Sequence, residues 1–201
     1  MYEWRKMTRA QRDEILSLRQ QSQKPWHSPP HQAGESGVYH ITAACYEHKP
    51  VIGSNPERMK VFAEQLCAHV AHADAQLHSW SVLPNHYHLL VTAPDLKSFL
   101  SALGQLHGRT SYMWNGEEQT RGRKVWFNAM DRSMRSDSHY WATVNYIHHN
   151  AVHHGYVATW QEWPFSSALA YLETVGRDEA ARQWREYPVF DYGKGWDDPD
   201  L

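Results

Sequence analysis

The order of hydrophobic segments predicts an α+β fold of the ferredoxin-like kind: βαββαβ, an antiparallel sheet with helices on one face, then an additional C-terminal helix. Three observations carry this prediction. Segments alternating apolar and polar residues, rich in β-branched and aromatic members, recur at 38–46, 77–83, 86–92 and 125–129. Helical periodicity fills the first and third gaps between them. Only Pro84 and Asn85, a tight turn, divide the second segment from the third.

The elements can be justified in order. Thr8 with Gln11 three positions on has capping-box spacing, so a short polar helix is expected over 8–23. Pro25, Pro29, Pro30, Gly34 and Gly37 then break regular structure, which marks residues 1–37 as a helix and arm preceding the compact domain. VYHITAACY is the first strand. Asn55 and Pro56 open a helix whose Met59, Phe62, Leu66, Val70 and Ala73 recur at spacings of three and four, ending near Gln76. LHSWSVL and HYHLLVT are the second and third strands. Asp95 caps a second helix with a buried stripe of Phe99, Leu103, Leu106, Thr110 and Met113. After a loop through NGEEQTRGRK, VWFNA is expected as the fourth strand, and Ser136 or Asp137 starts a helix running to about Asn150. WPFSSALAYL suggests one more short helix, and residues 171–201 read as an acidic tail on a domain spanning 38–170.

A chain of 201 residues suits one domain of ordinary size. Its apolar runs are far shorter than the roughly 20 residues that cross a bilayer, and no secretory leader is evident, so a cytoplasmic protein is expected. Cys45 and Cys67 lack metal or redox spacing and are read as reduced core residues. The net charge of -2 makes no global case for nucleic acid, but residues 1–135 hold 16 Lys and Arg against 12 Asp and Glu, whereas 136–201 hold 4 against 10. A mildly basic body with an acidic end follows.

The chemistry concentrates in two places. On the third strand His86 and His88 share one face, because side chains alternate, and two imidazoles at that spacing can chelate one divalent ion. They can equally be a hydrogen-bonded pair near a sheet surface; either way they are expected at the edge of a site rather than in the core. In SHYWATVNYIHHN, Tyr140, Val144, Ile147 and Ala151 form an inward apolar stripe, while His139, Thr143, Tyr146 and Asn150 form a polar one. Tyr146 is either a half-buried packing residue or a nucleophile beside an amide that can ligate metal.

PNHYHLLV resembles the metal-binding signature of the HUH nucleases, two histidines flanking a bulky apolar position, here Tyr87. NYIHHNAVHHGYV resembles the nucleophile helix of single-tyrosine transposases, and most closely the REP-associated tyrosine transposases. YHIT, VWFNAMDRSMR and EWPFSS add to this ordered set, which spans about residues 38–170. Ala151 stands where the family usually has proline, and His153 and His154 stand at positions that are often basic. The resemblance implies metal ligands at His86, His88 and Asn150, a nucleophile at Tyr146, and Mg²⁺ or Mn²⁺ as cofactor. It also implies nicking and strand transfer of single-stranded or hairpin DNA through a 5′-phosphotyrosine, by a monomer, with a dimer as the alternative. Arg121, Arg123, Lys124, Arg132 and Arg135, interleaved with Trp126 and Phe127, are the candidate DNA contacts: cations for phosphates and rings for bases. A catalytically silent hairpin-binding protein and a metal-dependent phosphohydrolase are the competing readings.

Overall fold

The computed structural model describes residues 37–189, together with Thr8, Ala10, Gln11, Glu14 and Ser17. The elements run β1 (Gly37–Ala44), α1 (Pro56–His72), β2 (Gln76–Val82), β3 (His86–Ala93), α2 (Leu96–Glu117), β4 (Met130–Ser133), α3 (Asp137–His153), α4 (Ala168–Val175) and α5 (Arg177–Glu186). The four strands form one antiparallel sheet in the order β2-β3-β1-β4, the ferredoxin-like arrangement expected.

Local chemistry sets the helix starts. Asn55 accepts from Arg58 N with Pro56 in the first turn of α1, Asp95 accepts from Lys97 N and Ser98 N at α2, and Ser136 accepts from His139 N at α3. At the N-terminal side Thr8 N donates to Gln11 Oε1 at 2.9 Å and Gln11 N to Thr8 Oγ1 at 3.3 Å, the reciprocal capping pair. The arm beyond that helix and residues 190–201 of the acidic tail lie outside the described residues.

Alternation along the strands divides the sheet into two unlike faces. Tyr39, Ile41, Ala43, Tyr87, Leu89 and Val91 face α1 and α2 and join Phe62, Leu66, Phe99, Leu103 and Leu106 in the main core. On the opposite face Leu90 packs with Val144, Tyr146 and Ile147 of α3. All but one of the eight residues of β3 are buried, because it is central and covered on both sides. That changes one expectation: His86 and His88, 1% and 0% exposed, are not at an open edge but beneath α3.

Several boundaries differ from the sequence reading. The helix expected to end near Gln76 stops at His72, and Gln76 opens β2. The stripe of α2 continues to Trp114, 4% exposed, rather than Met113, 46% exposed, since a step of four from Thr110 keeps the same helix face. The fourth strand is Met130–Ser133, not VWFNA. Cys45 bridges Trp126 and Thr42 pairs with Met130, so three steps from Thr42 to Cys45 face four in the segment 126–130, and this extra residue interrupts the ladder. Finally, the boundary expected at residue 170 falls inside α4. The EWPFSS segment before it runs along the outer edge of β2, with Val82 N donating to Phe165 O at 2.8 Å and Ser167 N to Trp80 O at 3.0 Å. An otherwise open sheet edge is thereby covered.

Candidate active site

Register brings the first residues of the site together. Ala44 pairs with His86 and Thr42 with His88, which puts His40, Thr42, His86 and His88 on the face under α3. The helix runs antiparallel to β3: Asn150 lies over His86, Tyr146 over His88, and Tyr140 against His78 near the far end. Tyr146 and Asn150, one turn apart, therefore meet successive histidines.

The distances are short. His86 Nε2 lies 3.0 Å from Asn150 Oδ1, and the His86 and His88 ring centres are 5.0 Å apart. The ring of Tyr146 meets that of His88 edge-on at 5.2 Å and that of His40 at 5.9 Å. His88 Nδ1 lies 3.1 Å from His40 Nε2. Tyr146 is 5% and Asn150 1% exposed, so both side chains are largely buried between α3 and the sheet. His40 is the residue that the spacing arguments miss. Its only signal is its place in YHIT, and pairing with His88 depends on a register that alternation within one strand does not specify.

The donor set suits a divalent cation. Two ligands about 2.1 Å from a metal and at right angles to each other stand about 3.0 Å apart, the separation of His86 Nε2 and Asn150 Oδ1. Among the described residues no three His, Cys, Asp or Glu side chains group as a metal site; the Asn150 amide oxygen beside His86 is a further donor that could hold a cation with the two imidazoles. His86 and His88 supply two imidazoles, with His40 against the second ring of the pair.

The turn preceding His86 is built tightly. Gly53 lies so near Pro84 that a Cβ there would stand 2.4 Å from Pro84 Cβ, and Gly53 N donates to Pro84 O at 2.9 Å. Asn85 Nδ2 donates to His48 O at 3.1 Å, while Asn85 Oδ1 lies 2.7 Å from His86 Nδ1. His48 and its neighbour Glu47 both adopt left-handed backbone, φ 49° and 58°, a conformation costly for residues with side chains and held here by surrounding contacts.

The expected DNA-contact residues separate into three groups. Trp126 is 7% exposed and buried in the main core, stacked on His107 with ring centres 4.4 Å apart and donating through Nε1 to Thr110 Oγ1. It has no face to offer a nucleobase, which corrects that expectation: next to buried Val125, its large apolar ring gains more from the core. Arg121 lies over the Tyr112 ring at 4.1 Å and donates to Tyr112 O, and Arg123 is held by Asn115 Oδ1 at 2.9 Å and Glu118 at 2.6 Å. Lys124 lies over the rings of Tyr46 and Phe127 at 4.8 and 5.2 Å. Arg132, opposite His40 in the sheet, and Arg135 are exposed and lie near His139, whose pKa burial and then these two cations lower.

Other buried titratable groups are structural. His148 bonds Ser167 Oγ at 2.9 Å and stacks on Trp160, and burial lowers its pKa to about 3. The Cys45 thiol is pushed up to about 12 and that of Cys67 to about 11 by burial, so both stay protonated.

A family model described as IS200-like transposase matches residues 35–157. The chain belongs to this transposase family. No curated protein matches it. Among solved structures, the transposase is similar to a REP-associated tyrosine transposase bound to a REP hairpin, at 19% identity and a TM-score of 0.56, over 70% of this chain and 82% of that one. A Deinococcus radiodurans protein assigned as a transposase aligns at 16% identity and a TM-score of 0.40, over 60% and 95% of the two chains. The first likeness establishes the shared fold. Among the described residues no helix is long and apolar enough to cross a membrane.

Proposed function

We propose that the transposase cuts and rejoins single-stranded DNA at hairpin sequences through a covalent bond to Tyr146, with a divalent cation held by His86, His88 and Asn150. The observation that carries this reading is the packing of Tyr146 against His88 while Asn150, one turn on, faces His86 at 3.0 Å. Nucleophile and donors are thus set on two rigid elements, a central strand and a helix, which supplies orientation without a mobile loop.

Bound there, Mg²⁺ or Mn²⁺ would polarise the phosphoryl oxygens and offset the charge that builds as the nucleophile approaches. The protein's own groups do the rest. Tyr146 Oη bonds to phosphorus in line with the P–O3′ bond, which breaks; the downstream fragment remains joined to the tyrosine through its 5′ phosphate and the upstream fragment leaves with a 3′-hydroxyl. The phenolic proton passes to water, and the released 3′ oxygen takes up a proton. Because the phosphodiester is exchanged and not hydrolysed, a 3′-hydroxyl from another strand can reverse the step and complete transfer without a nucleotide triphosphate. Arg132, paired with His40 in the sheet, and Arg135, three residues on, are exposed and would hold flanking phosphates. The related structure carries a REP hairpin, which supports a folded single strand as the substrate class.

The test is covalent capture. A labelled single-stranded hairpin incubated with protein and Mn²⁺ should become attached to the chain, and Tyr146→Phe should give none. Capture by Tyr146→Phe, or release of a free phosphate terminus, would favour hydrolysis and defeat the proposal. Tight hairpin binding without capture under any metal would favour a silent binding protein.

A further inference from the structure

We propose that Asn85 is a positioning residue that sets the tautomer of His86 and so aims its lone pair at the proposed cation position. The inference rests on His86 being a metal ligand. It is carried by a chain of hydrogen bonds in which each role is forced by the one before.

A backbone carbonyl can only accept, so the group of Asn85 that faces His48 O at 3.1 Å is the amide NH₂. That orientation turns Asn85 Oδ1 toward His86, 2.7 Å from Nδ1. An amide oxygen also only accepts, so Nδ1 carries the hydrogen. A neutral imidazole has one N–H, so Nε2 holds the lone pair. It is Nε2 that faces Asn150 Oδ1 at 3.0 Å. Two electron-pair donors are thereby set side by side, an arrangement a cation would reconcile.

Asn85 is itself fixed. Its carbonyl accepts from Cys45 N at 2.7 Å, and Leu83 N donates to His86 O at 2.8 Å across the turn. The left-handed residues Glu47 and His48 shape the segment that presents His48 O. His88 is oriented differently: its Nδ1 meets another imidazole, His40 Nε2, and a bond between two rings can run in either direction. On the His86 side the tautomer is dictated through groups whose roles cannot reverse. Metal-binding histidines generally depend on such a partner at the second nitrogen, and its loss typically costs 10- to 100-fold in affinity.

The test uses the full-length protein labelled with ¹⁵N at histidine, prepared free of metal, at about pH 8, above the ordinary imidazole range. His86→Gln identifies the His86 signals by their loss. In the wild type, long-range proton–nitrogen correlations should show His86 protonated at Nδ1 and bare at Nε2. Asn85→Ala should lose that preference and bind Mn²⁺ 10- to 100-fold more weakly, measured by electron paramagnetic resonance. Asn85→Asp, which still accepts from Nδ1 but loses the donor to His48, should keep both the tautomer and an affinity within a few-fold of wild type. A simple structural role for Asn85 would leave the tautomer unmoved. His86 protonated at Nε2 or at both nitrogens in the wild type overturns the proposal, and so does Asn85→Ala with the wild-type spectrum and affinity. If the wild type binds no Mn²⁺, the metal reading fails by itself, while the nitrogen spectrum still decides the tautomer.

Discussion

Each face of β3 joins a tyrosine to a histidine, and the two pairs sit in different settings. On the side of α1 and α2, Tyr87 Oη and His107 Nε2 meet at 2.9 Å in the main core, and Trp126 stacks on the imidazole. On the side of α3, His88 packs against Tyr146 with His86, His40 and Asn150 around them. Both clusters are buried, and both pair tyrosine with histidine. The core pair is closed upon itself: burial lowers the pKa of His107 to about 4 and raises that of Tyr87 above its ordinary value, so neither changes charge near neutral pH. Across the strand, His86 Nε2 lies 3.0 Å from Asn150 Oδ1, the pair of donors proposed above to hold a cation. Under the proposed function, the site differs from the core in bringing two donors together, not in burial or residue type.

The largest test of this comparison is to remove each tyrosine hydroxyl in turn. Tyr146→Phe should eliminate covalent capture of DNA to background while the fold melts within about 1 kcal/mol of wild type, as for other changes that leave packing volume intact. Tyr87→Phe should keep capture and destabilise the protein by about 1–3 kcal/mol, because it leaves the buried His107 nitrogen without its hydroxyl. Capture assays and denaturant melts on both variants suffice. If Tyr87→Phe were the one to abolish capture, the assignment of faces would be wrong.

A second test uses acid. Burial lowers His107 to about 4 and His148 to about 3, so the unfolded chain binds more protons than the folded one below about pH 6.5. The stability these neutral rings confer is complete above that pH and is lost as pH falls toward the folded values. At about 1.4 kcal/mol per pKa unit, His107 alone makes the fold about 3 kcal/mol less stable at pH 4 than at pH 7. Urea melts between pH 7 and 4.5 should show the decline, with a shallower slope in His148→Asn. A flat profile would mean that neither ring is held neutral.

A smaller effect sharpens the ligand assignment. Asn150→Ala should weaken the Mn²⁺ dependence of cleavage by about 10- to 100-fold, with activity partly restored by excess metal and hairpin affinity little changed, since it removes one donor and no charge. Equal losses in binding and cleavage, unrelieved by metal, would make Asn150 a DNA contact. The smallest effect expected is in the loop: Lys124→Ala should reduce the salt dependence of hairpin binding by about one phosphate contact, whereas Arg123→Ala, which removes a partner of Glu118 and Asn115, should act mainly on stability. Binding titrations at several salt concentrations separate the two.

Much was legible in the chain because it is local. Helix starts at Asn55, Asp95 and Ser136 depend on a side chain and an amide two or three residues away. The shared face of His86 and His88, and the one-turn spacing of Tyr146 and Asn150, are consequences of strand and helix periods. What escaped was the choice between equivalent local options: Trp114 over Met113, or Trp126 in the core and not beside DNA, each settled by which large ring the packed interior accepts.

The sequence by itself determined the order βαββαβ, the strand carrying two histidines and the helix carrying a tyrosine and an amide, because hydrophobic period and capping act within a few residues. Only the tertiary structure decided that this helix lies antiparallel across the face opposite α1 and α2, setting Asn150 on His86 and Tyr146 on His88. It alone brought His40, 48 residues earlier in the chain, within 3.1 Å of His88, and joined Asn85 to His48, 37 residues away. These contacts follow from strand register and from how two layers pack, and both are set by the whole buried surface rather than by any one segment.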